Sequence, residues 1–325
     1  MNTNKLSIPK GMLYILLTTL IFSTMEVAQK MVAEDFSPTQ ITMLRFLIGG
    51  ILLLPFVIRS LKKKHVHLKM ADLRHFVILG LFCVVVSMSF YQLSVERMPA
   101  SVVSVIFSGN PVVVSVTACL ILRQPLTKTN ISALLFDILG ILIIVNPFDT
   151  KLDPLGVVFL LIAILTFSLY SVMGKKYVGP LGSLTVTGLS LLIGALEMLL
   201  LLLIGHIPPL ATLFSGIGLS LFANVPLFSG IHADNLAAFL WISVVVSAAG
   251  YYFYMKAIEE TSPHEASLVF FFKPVLAPLL AMWLLQEQIT LNMVIAICCF
   301  LIGALFDILP GLLHHRRKGK YTVLR

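Results

Sequence analysis

The chain has 325 residues, of which 58% are hydrophobic and only 12% charged, with a mean hydropathy of +0.99 and a formal net charge of +8. Soluble domains carry about 25% charged residues, so this composition excludes one. The long, continuous apolar runs also exclude a spanning β-barrel, whose strands alternate, and leave an all-α membrane protein.

Ten spans are predicted, over residues 11–31, 39–59, 74–96, 99–122, 130–147, 154–176, 182–205, 235–258, 263–286 and 290–310. Each is long enough to cross a hydrocarbon core about 30 Å thick. The first follows Lys5 and Lys10. It reads as a span and not as a signal peptide, because it is long, lacks a small-x-small cleavage pattern and carries Glu26. Thr19, Ser23, Glu26 and Lys30 fall at i, i+4, i+7 and i+11 and share one face. That face either lines a wet surface or packs against another helix. The second span carries Arg45. Counted at 1.5 Å per residue, Glu26 and Arg45 both lie about 7–9 Å below the outer end of their helices. A structural ion pair between them is one expectation, and a cavity position for Glu26 is the other.

The third span carries SMSFYQLS, with Tyr91 and Gln92, and the eighth carries AAGYYFYMK, with Tyr251, Tyr252 and Tyr254. Tyrosine joins an apolar body to a polar tip, which suits either a small-molecule cavity or an interfacial belt. The sixth span repeats the polar stripe of the first, with Ser168, Ser171 and Lys175. Residues 206–234 contain no Lys or Arg and are too apolar for an ordinary loop, so an interfacial or re-entrant piece is expected.

The ninth span reads FFFKPVLAPLLAMWLLQE, with Lys273 near the midplane. A charge there costs about 2.5–3.5 kcal/mol on insertion scales, so it needs a partner or a function. Pro274 and Pro278 remove backbone donors and kink the helix. Lys273 either meets substrate or a coupling group, or pairs structurally with Glu197 of span 7 or Asp137 of span 5. Arg45, Asp137, Glu197 and Glu287 are taken as structural intramembrane charges.

Lys and Arg set the orientation. With a cytoplasmic N-terminus, only Lys30, Arg97 and Lys151 of the 23 Lys and Arg fall outside, and Arg45 and Lys273 lie within spans. The remainder is internal, so both termini are expected in the cytoplasm and residues 313–325 form a basic cytoplasmic tail. The positive charge is a topology signal and calls for no nucleic acid. Cys83, Cys119, Cys298 and Cys299 all sit in apolar runs and read as packing residues. No HExxH, GxSxG or P-loop pattern occurs, so no enzyme, metal or cofactor is expected.

An internal repeat organises the chain. At an offset of 163, Tyr91 meets Tyr254, Glu96 meets Glu259, Ser104 meets Ser267, Asn110 meets Lys273, Pro111 meets Pro274, Thr127 meets Thr290, Gly140 meets Gly303 and Pro147 meets Pro310. At an offset of 145, Gly11 meets Gly156, Phe22 and Ser23 meet Phe167 and Ser168, and Lys30 meets Lys175. Two copies of a five-helix unit follow. Five is odd, so the second enters from the opposite side, giving an inverted-topology repeat of the kind found in alternating-access transporters.

The stretch TMLRFLIGGILLLP of span 2, the passages SFYQLSVERMPAS and YYFYMKAIEETSPHEAS, and the ending LLQEQIT resemble the EamA repeat of the drug/metabolite transporter superfamily. Glu287 occupies the acidic slot of that ending, whereas the first repeat has Gln124 there. The resemblance implies one repeat over 1–150 and a second over 151–312. It implies a cavity of helices 1, 3, 4, 6, 8 and 9, a structural Arg in span 2, and a secondary transporter in the plasma membrane, expected to export small polar or zwitterionic metabolites such as amino acids. The expected cavity residues are Lys273, Asn110, Ser23, Glu26, Tyr91, Gln92, Ser168, Ser171 and Tyr254. The lipid bilayer, a small-molecule substrate and a coupling proton or ion are the partners that fit. Nucleotide-sugar or lipid-linked anionic cargo, and a membrane scaffold that transports nothing, are the rival readings.

Overall fold

A computed structural model describes residues 10–123, 128–145, 152–216 and 219–321. Lys5, Gln124, Pro147 and Lys151 lie outside them, as do residues 322–325 at the end of the expected tail. The described residues form helices, turns and loops, with no strand among them.

Among the described residues, eight helices are long and apolar enough to cross a membrane: α1 Lys10–Met31, α2 Pro38–Lys64, α3 Asp72–Arg97, α4 Ala100–Leu122, α6 Pro154–Leu181, α7 Ser183–Ile204, α8 Leu236–Glu260 and α9 Pro263–Leu285. Helices α5 (Lys128–Val145) and α10 (Leu291–Tyr321) have shorter apolar stretches, Ile131–Ile144 and Leu291–Phe306. The helical backbone of α10 runs on to Tyr321, so the segment expected as a tail begins inside this helix.

Local chemistry sets the helix ends. Ser37 and Gln40 form a reciprocal capping box at the start of α2, with Pro38 just inside. Asp153 caps α6 through the Leu155 amide and accepts from Arg97 at 2.8 Å; this Arg97 bond holds its carboxyl below the usual carboxylate range. Helix α1 is interrupted at Thr24, and α4 at Ser108–Gly109, just before Asn110 and Pro111. Helices α3 and α8 each carry a widened π-helical stretch, Leu81–Met88 and Trp241–Gly250, at matching positions of the two repeats.

The packing repeats as the sequence does. Helix α2 packs on its own mate α7, and α5 on its mate α10. Helix α1 packs on α8 and α9 of the other half, while α6 packs on α3 and α4. The halves are therefore interlaced. The bonds repeat too, here within each half: Lys30 Nζ donates to the carbonyls of Val95 (2.9 Å) and Glu96 (3.4 Å), and its mate Lys175 to those of Ile258 (2.6 Å) and Glu259 (3.4 Å). Each lysine thus ties the first helix of one half to the carbonyl-rich end of a helix in the same bonding pattern.

Close helix approach depends on glycine. A Cβ at Gly194 of α7 would stand 2.7 Å from the Gly80 carbonyl oxygen of α3, while one at its mate Gly49 of α2 would stand 3.2 Å from the Ser243 carbonyl oxygen of α8. Backbone cannot move aside as a side chain does. Gly194→Ala is therefore expected to cost about 1–3 kcal/mol through overpacking, and Gly49→Ala less. Thermal unfolding of the purified variants in detergent checks the order; equal losses would refute this account of the two interfaces.

Candidate functional site

Three residues from three helices meet at the centre. Glu26 follows the break in α1, Tyr91 follows the π-helical turn of α3, and Lys273 precedes Pro274 in α9. Lys273 Nζ forms an ion pair with Glu26 Oε1, and the Tyr91 hydroxyl donates to the same oxygen. All three side chains are 0% exposed. The ammonium also lies 5.1 Å from the ring centre of Phe107, 5.7 Å from Tyr91 and 5.8 Å from Phe270. These aromatic faces supply a cation–π environment where water is excluded. Glu26 Oε2 has no hydrogen-bond partner among the described residues.

The mate of this cluster has the same layout without charge. Glu26 corresponds to Ser171, Tyr91 to Tyr254, and Lys273 to Asn110. The Ser171 and Tyr254 hydroxyls are 3.0 Å apart, and Ser168 Oγ donates to Asn110 Oδ1 at 3.0 Å. The Asn110 amide nitrogen is buried and has no hydrogen-bond partner among the described residues. Between the two clusters stand Phe22, Phe167, Phe107 and Phe270, two pairs of repeat mates. Phe107 meets Phe270 across the pseudo-two-fold at 5.3 Å, and Phe167 meets Phe270 at 5.9 Å. The centre is closed: the polar clusters and the aromatic plug are all buried.

Several expected contacts are not made. Arg45 does not pair with Glu26. Equal depth on neighbouring helices is not enough, because the Glu26 carboxylate turns towards α9 and is taken by Lys273. The Arg45 guanidinium is 0% exposed, lies 4.4 Å from the Phe46 ring centre, and has no hydrogen-bond acceptor among the described residues. Nor is Lys273 paired with Glu197 or Asp137. Glu197 sits half-buried on α7, its two oxygens without hydrogen-bond partners among the described residues, and Asp137 lies on α5 against Gly303 of α10. Glu287 is not inside a span. It lies beyond the end of α9 and caps α4, accepting from the amides of Ala100 (2.8 Å) and Ser101 (2.9 Å) and from the Ser101 hydroxyl.

Ser23 bonds back to the Thr19 carbonyl of its own helix, and Gln92 is buried with its amide oxygen unpartnered. Gln29 was not singled out by the sequence reading. It is fully buried with its whole amide unpartnered, and it lies one turn beyond Glu26 on the same stripe, a spacing that marks it.

Interlaced five-helix repeats around a buried polar centre define a helical membrane protein of the transporter type. A family model described as the EamA-like transporter family matches residues 9–146 and again 154–308, and the chain belongs to that family. It is 33% identical over 306 residues to an uncharacterized transporter of Clostridium kluyveri, covering 92% of this chain and 93% of that protein. An S-adenosylmethionine uptake transporter of Rickettsia prowazekii is 22% identical over 267 residues, covering 80% of this chain and 89% of its own. A solved crystal structure aligns over 92% of this chain and 96% of its own with a TM-score of 0.65 at 17% identity, which supports the fold alone.

Proposed function

We propose that the chain is a secondary transporter that exports a small polar or zwitterionic metabolite across the plasma membrane by alternating access, with Glu26, Lys273 and Tyr91 at the transport site. One observation carries this reading: a buried ion pair at the pseudo-symmetric centre whose mate is neutral. A purely structural pair would be expected to be replaceable by apolar packing. A pair opposed by hydroxyl and amide groups offers exchangeable partners on both sides. An amine of the cargo can replace Lys273 on Glu26, or a proton can, which couples cargo movement to proton movement.

The two units that rock against each other are the repeats 1–150 and 151–312 with their first helices exchanged, α1 moving with α8 and α9 and α6 with α3 and α4, on which they pack. Lys30 closes one end by holding the carbonyls at the end of α3. Lys175 closes the other by holding those of α8. Opening one end releases one lysine and keeps the other. The relative's named cargo, S-adenosylmethionine, carries both an amine and a carboxylate, in keeping with a zwitterionic substrate. The test of transport is counterflow: proteoliposomes preloaded with the right metabolite accumulate its label transiently. Absence of exchange for every small polar metabolite tried, by protein that remains folded, contradicts the reading.

Both termini are assigned to the cytoplasm. The charge distribution supports this. Residues 219–234 pack on the start of α2, where Thr39 donates to the Leu221 carbonyl (2.8 Å) and Gln40 to that of Ser229 (2.6 Å), so they share its side of the membrane. In intact cells, Ser220→Cys is expected to react with an impermeant thiol reagent and Lys64→Cys to be spared. The reverse pattern would invert the topology.

A further inference from the structure

Arg45 is the one large cationic group near the centre that the ion pair leaves out. Its Nε, Nη1 and Nη2 are all buried, and none meets an acceptor among the described residues. The guanidinium carbon stands over the Phe46 ring at 4.4 Å. A ring face offers the guanidinium N–H groups no lone-pair acceptor, so that contact leaves their hydrogen-bonding capacity unused.

Tyr91, Tyr251 and Cys83 stand within electrostatic reach of Arg45, and both tyrosines are also within reach of Glu26. Phe46 holds Tyr251 in place edge-on, with ring centres 5.2 Å apart at 89°. The Tyr251 hydroxyl donates only to the Met88 thioether, at 2.8 Å. A thioether is a weak acceptor, so this proton is available to a better one. The centre therefore holds one acid and two bases, with one positive charge in excess. An uncompensated charge at this depth is strongly unfavourable unless an anion arrives to meet it.

We propose that Arg45 is the anion-binding arm of the transport site, where its planar fork receives the carboxylate of the cargo beside the Tyr251 hydroxyl. This rests on the transporter reading above and specifies the cargo: a small carboxylate. Its carboxylate lies on the Arg45 side of Tyr91 and Tyr251, and any amine on it reaches the Glu26 side. Arg45 is then a substrate-binding residue and not only a packing element. Two in-plane N–H groups match the two oxygens of a carboxylate in a way a lysine ammonium does not.

The experiment compares acids with their amides. Full-length protein in detergent is screened by thermal shift against a panel of small carboxylates, amino acids included, and the carboxamide of each. The pairs that bind are then tested in counterflow. Carboxylates are expected to bind at least about tenfold more tightly than their amides, a difference of about 1.4 kcal/mol. In Arg45→Gln this preference is expected to collapse, while Arg45→Lys keeps a weakened form of it. A merely structural arginine would shift the melting temperature of the variant without changing the acid-to-amide ratio. Equal binding of acids and amides by the parental protein overturns the inference and leaves the transport reading intact, whether or not the variants fold. Failure of every compound, acid or amide, to bind or exchange removes both.

Discussion

Lys273→Met is expected to insert, to lose stability, and to lose transport by on the order of 100-fold, the equivalent of about 2.7 kcal/mol on the rate. Methionine keeps the length of the stem and removes the charge. Glu26 then keeps only the Tyr91 hydroxyl as a donor. Removing one partner of a buried ion pair typically costs about 3–5 kcal/mol, unless the remaining group neutralises itself. Loss of stability alone would follow from a structural pair too, so the double variant decides. Glu26→Gln with Lys273→Met removes both charges together and is expected to regain much of the stability but none of the transport. Lys273→Arg is expected to rescue only in part, because a planar fork does not replace a point charge among Phe107, Tyr91 and Phe270. Thermal unfolding and initial uptake rates on the same preparations separate the two effects. A double variant that recovers transport along with stability would make the pair structural.

Glu26→Gln alone is expected to flatten the pH dependence of transport. Under the proposed coupling, Glu26 exchanges Lys273 for a proton or for cargo, and the rate then follows pH. Glutamine cannot take up or release that proton. It also leaves Lys273 a buried cation with a neutral amide oxygen and aromatic faces in place of a carboxylate, so a loss of stability is expected. Rates measured in proteoliposomes over a range of pH, with the pH equal on both sides, give the comparison. A Gln variant with the parental pH profile would exclude Glu26 as the coupling group.

The ten helices were legible because bilayer thickness fixes the length of an apolar run. The repeat was legible because prolines, glycines and polar residues match at fixed offsets where leucines alone would prove nothing. The mates Lys30 and Lys175 make equivalent bonds, and Gly194 and Gly49 stand at corresponding helix crossings, Gly194 the closer. The π-helical stretches of α3 and α8 were not legible. Neither VVVSM nor VVVSAAG carries a proline, and both stretches lie at close helix crossings, Gly80 against Gly194 and Ser243 against Gly49, which a local pattern does not encode.

At the site, individual residues were visible and their pairing was not. Glu26 and Lys273 stand out as charges inside apolar runs. Depth along a helix suggested Arg45 as the partner of Glu26, but depth does not say which face meets which neighbour. That depends on α1 crossing to pack on α8 and α9 of the other half, a consequence of interlacing that no local pattern encodes. Glu287 looked like an intramembrane charge from its place at the end of an apolar run. Its capping role at Ala100 and Ser101 again requires α4 and α9 to meet.

Access to the centre from both sides is the most direct test of alternating access through this site. Asn110→Cys, in a protein whose four native cysteines are replaced by alanine, places a thiol at the mate position of Lys273. A small charged methanethiosulfonate reagent is applied from outside to intact cells and from inside to inverted vesicles. The thiol is predicted to react from each side, with transported cargo slowing the reaction, because each repeat in turn opens the same centre. A folded protein whose thiol at this position reacts from neither side, or from one side only under all cargo and pH conditions, would contradict the account.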